Sequence, residues 1–299
     1  MSATDRAEAP EARAFLGPDF LGIGAPRCGT TMLDRLLRTH PALSLPRYTK
    51  EVHFFDERHA LGLDWYEDQF EPDEGDGCLR GEVTPHYLAD DGAFARIEAL
   101  EARPRFLVML RDPVDRMVSR YRHGRRRKSE TASFREVASR TRPSAAGDYA
   151  ASLERWFEVF SRERFLVLIY ERATQDRDGL AAALGTHLGV DPAGFDTSVL
   201  EERVNAGVSG EYFGRAPVLR GAKNALLSLG LDRFEQPLRR AANRYLTPLK
   251  HDPGTADDAV SEEDRRWLGE RYLPSVERLE ALLGEAVPEW PLGGARNSP

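Results

Sequence analysis

The sequence is poor in the features that mark several large classes of protein. It has two cysteines in 299 residues, Cys28 and Cys78, which argues against a disulfide framework or a cysteine-ligated metal cluster. No apolar run approaches the roughly 18 residues of a membrane span, and no signal peptide is visible. The net charge of −7 gives no general attraction to nucleic acid. We therefore expect a soluble, cytoplasmic protein without integral membrane association or a nucleic-acid partner.

Apolar runs alternate with helical patterns along much of the chain. Residues 20–23, 106–110 and 165–170 are apolar runs typical of buried parallel strands, and residues 81–84 form a weaker fourth. Between the last two long runs, apolar residues recur at helical spacing from Tyr149 to Phe160. Repeated alternation of this kind predicts an α/β fold, a three-layer α/β/α arrangement with a central parallel sheet.

The two ends of the chain differ from this pattern. Residues 1–14 are rich in Ala, Glu, Arg and Pro and are predicted to be a disordered tail, which leaves 15–299 as a single domain. After Asp191 the strand patterns stop. Two C-terminal helices are predicted near 216–246 and 261–284, and the second has apolar residues at helical spacing.

Residues 20–31 have the pattern of a phosphate-binding cradle, with the sequence Phe-Leu-Gly-Ile-Gly-Ala-Pro-Arg-Cys-Gly-Thr-Thr. A short strand leads through a glycine-rich turn into a helix, and the free N–H groups and positive dipole at a helix start attract anions. Gly29 allows close backbone approach, Thr30 and Thr31 add hydroxyl donors, and Arg27 adds a permanent cation. Cys28 is either a reactive thiol or, as we favour, a small filler residue.

The cradle is P-loop-like but differs from the ATP-binding loop in two respects. The pattern G-x-x-x-x-G-K-[ST] needs lysine at position 30, where this chain has Thr30. No strand clearly ends in a metal-binding aspartate, since Asp112 precedes proline and is predicted to cap a helix. Both differences weigh against hydrolysis of nucleoside triphosphates, although a P-loop kinase or NTPase remains the alternative enzyme.

A second motif follows the 106–110 run. Arg111 is expected at the carboxyl end of a central strand, where open α/β sheets bind ligands. Ser119 lies about two turns along the following helix. Together they can hold a second phosphate, with a guanidinium on one side and a hydroxyl on the other. The alternative is a capped helix with both side chains in solvent.

These motifs together resemble the sulfotransferases that use 3′-phosphoadenosine 5′-phosphosulfate (PAPS). Lys50 to Asp56, with the letters K-E-V-H-F-F-D, resembles a segment of the heparan sulfate sulfotransferase branch, and the arginine at position 27 is shared with tyrosylprotein sulfotransferases. Further pieces in the same order resemble that branch at 63–66, 81–87, 149–156 and 166–171. The likeness covers about residues 18–175 and weakens in the C-terminal third.

The resemblance implies roles for the residues of the donor site. Arg27, Cys28, Gly29, Thr30 and Thr31 would bind the 5′-phosphosulfate. Arg111 and Ser119 would bind the 3′-phosphate that distinguishes PAPS from ATP. Because the pKa of a guanidinium exceeds about 12, Arg27 would stabilise charge on the leaving phosphate without giving it a proton.

The resemblance also implies roles on the acceptor side. Glu51 would be the base that takes the acceptor proton, whereas spacing alone favours a solvated glutamate paired with Lys50 or Arg47. His53 would orient the acceptor or serve as the base. Lys50 is a candidate contact of the sulfuryl group or the acceptor. Thr84 and Tyr87 are predicted to line the acceptor channel.

The resemblance therefore implies an enzyme that transfers a sulfuryl group from PAPS to a hydroxyl or amine of a small molecule, lipid or carbohydrate. The charge of the loop, the helix dipole and Arg27 make a metal unnecessary. A catalytically silent nucleotide-binding module is the alternative outside the enzymes. The basic run at 123–128 is interpreted as a solvated helix face, with a supplementary contact to the 3′-phosphate or to an anionic acceptor as the alternative.

Overall fold

A five-stranded parallel sheet forms the centre of the structure. The computed structural model describes residues 15–71, 77–126, 130–141, 148–201 and 260–297. The strands, numbered along the chain, are β1 (Phe20–Gly24), β2 (Leu43–Ser44), β3 (Leu79–Val83), β4 (Arg105–Leu110) and β5 (Phe165–Ile169). Their spatial order is β2-β3-β1-β4-β5, and every neighbouring pair is parallel. The four predicted strands and the α/β class are confirmed, and the edge strand β2 was not predicted.

Helices flank this sheet. They are α1 (Thr30–Leu37), α2 (Gly62–Glu67), α3 (Asp91–Glu98), α4 (Pro113–Arg126), α5 (Phe134–Arg140), α6 (Tyr149–Val159), α7 (Tyr170–Gln175), α8 (Arg177–Leu188) and α9 (Glu262–Leu283). Short π-helical and 3-10 turns lie at Phe54–Arg58, His59–Leu61, Tyr87–Ala89 and Leu292–Asn297, among others. Within the part of the chain that the structure describes, no helix is both long and apolar enough to cross a membrane.

The connection order places the cradle and the second motif side by side. From β1 the chain runs outward to β2 and returns to β3, and it then crosses β1 to add β4 and β5 on the other side. Ligands of open α/β sheets bind beyond the carboxyl ends of the strands at such a reversal. Because β1 and β4 are paired parallel neighbours, the turn after Gly24 and the residue after Leu110 open onto the same edge.

The core is buried on both faces of the sheet, as expected for parallel strands. All five residues of β1 are buried, and so are the last five of β4. Between β4 and α6 an aromatic cluster fills the interior, with Phe106 stacked on Phe165 and the fully buried Trp156 against both. This packing joins α6 to β4 and β5.

The last helix completes the described structure. Helix α9 begins after the capping residue Ser261, whose hydroxyl accepts from the N–H of Asp264, and ends before Gly284, which has a φ of 74°. It contacts α4 and α6 and confirms the helix predicted at 261–284. The predicted tail at 1–14 and the predicted helix at 216–246 lie outside the described residues.

Candidate active site

The turn from β1 into α1 forms the cradle around a glycine whose backbone and neighbours disfavour a side chain. Gly29 has a φ of +87°, in the left-handed region. A Cβ atom there would also lie 2.3 Å from Cδ2 of Tyr170, so the ring of Tyr170 packs directly against the turn. Gly29 has no side chain with which to cap α1. The first N–H groups of the helix are therefore available to an anion.

The other cradle residues combine strain and burial. Arg27 also has a left-handed backbone, with a φ of 69°. Such a backbone costs energy at a non-glycine residue and is common at functional sites. The buried Arg116 fixes the loop by donating from Nε to the Pro26 carbonyl at 2.9 Å. Cys28 is fully buried, and burial raises the pKa of its thiol, which matches a filler residue and not a reactive thiol.

Lys50 reaches into the cradle from a different loop. Its Nζ donates to Oγ1 of Thr30 at 3.0 Å and lies 3.4 Å from Oγ1 of Thr31. The same Nζ donates to Oε1 of Glu51 at 3.0 Å. One ammonium thus joins the anion cradle to the carboxylate that we predicted to be the base.

Glu51 and His53 form a charged group with Asp56. His53 Nδ1 donates to Asp56 at 2.8 Å, and Nε2 lies 3.5 Å from Glu51 Oε2. Burial disfavours the charged forms of Glu51 and His53, but their hydrogen bonds and their attraction to neighbouring opposite charges outweigh that effect. Although burial raises the pKa of Glu51, hydrogen bonding to His53 and the charge of Lys50 lower it to about 2. Although burial lowers the pKa of His53, Asp56 and Glu51 raise it to about 10. Glu51 is therefore ionised and His53 protonated at neutral pH.

His86 completes this cluster and was not among the predicted site residues. Its ring centroid lies 5.3 Å from that of His53. Glu51, His53 and His86 each offer one potential metal-ligand atom, and the three atoms lie within 4.8 Å of one another. The ammonium of Lys50 and the proton on His53 oppose a cation there. That the site works without metal stays a prediction.

Thr84 and Tyr87 do not line a channel, which corrects the sequence-based prediction. Both are fully buried and donate hydrogen bonds to the buried Glu82, Thr84 to Oε2 at 2.5 Å and Tyr87 to Oε1 at 2.8 Å. Tyr66 and the Val52 N–H also donate to this carboxylate. Burial raises the pKa of Glu82, and these donors oppose that rise. The network fixes the backbone of the segment that carries Glu51 and His53.

Replacing Glu82 by glutamine should destabilise the protein while leaving its surface unchanged. One acceptor oxygen would become an N–H₂ group facing buried donors, and an orphaned donor costs about 1–3 kcal/mol. We expect a loss of that size in the free energy of unfolding by urea denaturation. The control is Glu98→Gln, an exposed glutamate of α3. Equal stability of the two variants would show that the hydrogen bonds to Glu82 do not contribute measurably to the free energy of unfolding.

Arg111 and the cradle both pack against the aromatic ring of Tyr170. The Cζ of Arg111 is 5.0 Å from the centroid of the Tyr170 ring that packs on Gly29. Its guanidinium lies 4.0 Å from Glu171 and 3.9 Å from Asp115, both longer than hydrogen bonds. Tyr149 ties the two motifs together, because its hydroxyl donates to the Arg111 carbonyl at 2.9 Å and contacts Cys28 Sγ at 3.5 Å. The Tyr170 contact was missed, since a Tyr-Glu pair after a strand does not reveal where the ring packs.

Ser119 and the basic run both lie on α4. Ser119 is half-buried on the helix that starts two residues after Arg111. The basic run 123–128 begins on the last turn of α4, which ends at Arg126, and residues 127–129 are outside the described part. A cleft beside Arg27 is also lined by His86, Arg116, Arg120 and Tyr149, so three arginines contribute to its lining.

The charges of this cluster predict a pH dependence of stability. The pKa of His53 in the folded protein, about 10, lies above its ordinary value of 6.5. Its contribution to the free energy of unfolding is therefore complete below about pH 6.5 and is lost as pH rises through 10. The stability difference between the wild type and His53→Asn should shrink over that range in urea denaturation. His59→Asn, at an exposed histidine of the same segment, should show no such trend. A difference for His53→Asn that stays constant with pH would contradict the assigned charge state.

Comparison with known proteins identifies the family. A family model described as "Sulfotransferase domain" matches residues 17–206, more than half of the chain. The chain is 31% identical over 183 residues to human heparan sulfate glucosamine 3-O-sulfotransferase 3B1, covering 58% of this chain and 46% of that protein. It is 33% identical over 193 residues to human heparan sulfate glucosamine 3-O-sulfotransferase 6, covering 62% of this chain and 55% of that protein. The chain thus spans about half the length of these curated relatives.

A solved structure extends the likeness across the fold. A sulfotransferase from Alicyclobacillus acidocaldarius superposes with a TM-score of 0.62 at 25% identity, over 92% of this chain and 98% of that one. The cradle, the Lys50–Asp56 segment and the Arg111 motif all lie within residues 17–206, the range that the family model matches. This chain belongs to the sulfotransferase family.

Proposed function

We propose that this enzyme transfers a sulfuryl group from PAPS to a hydroxyl or amine of a carbohydrate or other small acceptor, with a lipid as the less supported choice. The observation that carries the proposal is the Lys50 bridge, which joins the cradle hydroxyls of Thr30 and Thr31 to the Glu51 carboxylate. A carboxylate that could serve as a base thus lies beside the place where a phosphosulfate would bind. The two named human relatives, whose acceptor is a saccharide, support a carbohydrate.

The donor would lie along the shared edge of β1 and β4. Its 5′-phosphosulfate would meet Arg27 and the N–H groups and hydroxyls of residues 28–31. Its 3′-phosphate would meet Arg111, with Ser119 as the hydroxyl partner. The nucleoside between the two phosphates would lie beside Tyr170, whose ring is close to both motifs.

The chemistry is an in-line displacement at sulfur. As the acceptor oxygen attacks, Glu51 takes its proton, and the bond from sulfur to the bridging oxygen breaks. Arg27 stabilises the charge that collects on the departing phosphate. Protonated His53, held by Asp56, donates toward the acceptor oxygen and orients it. The acceptor would enter by the cleft beside Arg27 and His86.

The test is transfer of ³⁵S from labelled PAPS in the presence of EDTA. The purified protein would be incubated with a panel of polysaccharides, small alcohols, amines and lipids, and labelled products would be separated and counted. We expect label in at least one saccharide without added metal. Transfer of ³²P from [γ-³²P]ATP with magnesium, together with no transfer of ³⁵S from PAPS, would instead establish the kinase alternative. A cytoplasmic location and a single-domain organisation stay predictions.

A further inference from the structure

We propose that Lys50 gives a proton to the leaving phosphate and that Lys50 and Glu51 form a closed proton relay. The inference deepens the proposed function and rests on it. It adds a role for Lys50 that neither the cradle motif nor the likeness to relatives assigns. It concerns where the acceptor's proton goes after Glu51 has taken it.

The first support is the position of Lys50. An ATP-binding loop carries its lysine within the loop, at the position that Thr30 occupies here. In this chain an ammonium reaches the same place from outside the loop, 3.0 Å from Oγ1 of Thr30 and 3.4 Å from Oγ1 of Thr31. Its side chain is only 21% exposed, so it is held in the cradle and not extended into solvent. A phosphosulfate bound by these hydroxyls would meet Nζ directly.

The second support is that the other cation of the cradle cannot supply a proton. Arg27 is a guanidinium, which stays charged throughout and acts only through its field and hydrogen bonds. A lysine ammonium can release a proton and accept it again. The cradle thus contains one group suited to stabilise charge and a different group suited to transfer a proton.

Lys50 and Glu51 together account for every proton that moves in the reaction. When the bond from sulfur to the bridging oxygen breaks, its electron pair stays on that oxygen, which takes a proton from Lys50 Nζ. The acceptor oxygen forms its bond to sulfur and loses its proton to Glu51. The site then holds a neutral amine beside a protonated carboxyl group. Because Nζ and Oε1 lie 3.0 Å apart, the proton returns from Glu51 to Lys50 directly. The net result is transfer of one proton from the acceptor to the leaving phosphate.

The relay also explains how a strongly acidic glutamate can act as a base. In the free enzyme the hydrogen bond to His53 and the charge of Lys50 lower the pKa of Glu51 and keep its carboxylate ionised. Binding of the phosphosulfate would turn Nζ toward the bridging oxygen and weaken its bond to Glu51. Loss of the nearby positive charge then raises the affinity of the carboxylate for a proton during the transfer.

The test separates proton donation from charge. Lys50→Arg keeps a positive charge and hydrogen-bond donors but cannot release a proton, whereas Lys50→Met has neither. The relay predicts that both variants lose at least about 100-fold in kcat with PAPS. Titration with adenosine 3′,5′-bisphosphate should show binding by Lys50→Arg within about 3-fold of wild type. If charge alone matters, Lys50→Arg keeps nearly the wild-type kcat while Lys50→Met does not, and the relay is wrong.

A chemical rescue experiment tests whether Lys50→Arg loses activity only because arginine fits poorly at position 50. Lys50→Cys in a Cys78→Ser background can be alkylated with 2-bromoethylamine, which restores an amine at nearly the length of lysine, while Cys28 is fully buried. Alkylation with (2-bromoethyl)trimethylammonium gives the charge without a transferable proton. The relay predicts at least about 10-fold recovery of kcat with the amine and none with the trimethylammonium. Equal recovery by both reagents would overturn it. In the same assay, wild-type protein that transfers no label would reject the proposed function itself.

Discussion

Replacing Glu51 by glutamine is expected to slow sulfuryl transfer by about 10²- to 10⁴-fold, the range typical of a lost general base. Glutamine has nearly the same shape and can still bond to Lys50, but it cannot accept the acceptor's proton. Binding of adenosine 3′,5′-bisphosphate should change little, because the cradle N–H groups and Arg111 are untouched. Initial rates with labelled PAPS and calorimetric titration of the nucleotide give the two quantities.

The matched control for this variant is Glu57→Gln. Glu57 is an exposed glutamate on the turn that follows His53, so its replacement changes the net charge equally. We expect it to keep the wild-type rate. A Glu51→Gln enzyme with more than a tenth of the wild-type kcat would remove Glu51 from the base role. Wild-type protein that binds the nucleotide and transfers nothing would favour the silent-module alternative.

Arg111→Ala is expected to weaken binding of adenosine 3′,5′-bisphosphate while leaving that of adenosine 5′-monophosphate nearly unchanged. The guanidinium lies beside the Tyr170 ring and makes no contact shorter than 3.9 Å with Asp115 or Glu171, so its donors can face a ligand. Each lost charge-assisted hydrogen bond costs about 1.5–3 kcal/mol, or roughly 10- to 150-fold in Kd. Calorimetry with both nucleotides on both proteins measures the difference.

The control for the Arg111 variant lies at the other end of the same strand. Arg103 is exposed just before β4, whereas Arg111 follows its carboxyl end. Arg103→Ala should bind both nucleotides as the wild type does. Equal losses for the two nucleotides in Arg111→Ala would mean that Arg111 supports the fold of the cradle and does not bind a 3′-phosphate.

The strands and the cradle could be predicted from sequence because their signals are local. A buried parallel strand is a continuous apolar run, and a glycine turn before a helix is a short motif. The edge strand β2 was not predicted because its two residues, Leu43 and Ser44, are too few to show a hydrophobic pattern. The adjacency of β1 and β4 was expected only in the general sense that parallel strands end at one edge.

Contacts between distant loops could not be predicted in the same way. The distance from Lys50 to Thr30 depends on how the 45–53 segment crosses the sheet edge, and no local pattern encodes that path. Thr84 and Tyr87 were misassigned because sequence does not show that Glu82, two residues before Thr84, is buried and requires their hydroxyls. His86, next to Tyr87 in the same turn, faces the site instead. Burial of one carboxylate thus decided which neighbours are structural.

The most direct measurement is a crystal structure of this protein with adenosine 3′,5′-bisphosphate. We predict the 5′-phosphate on the N–H groups of residues 28–31 with Lys50 Nζ beside it, and the 3′-phosphate within hydrogen-bond distance of the Arg111 guanidinium and the Ser119 hydroxyl. A nucleotide bound with its 3′-phosphate in solvent, or bound away from the turn after β1, would contradict the assignment of the donor site.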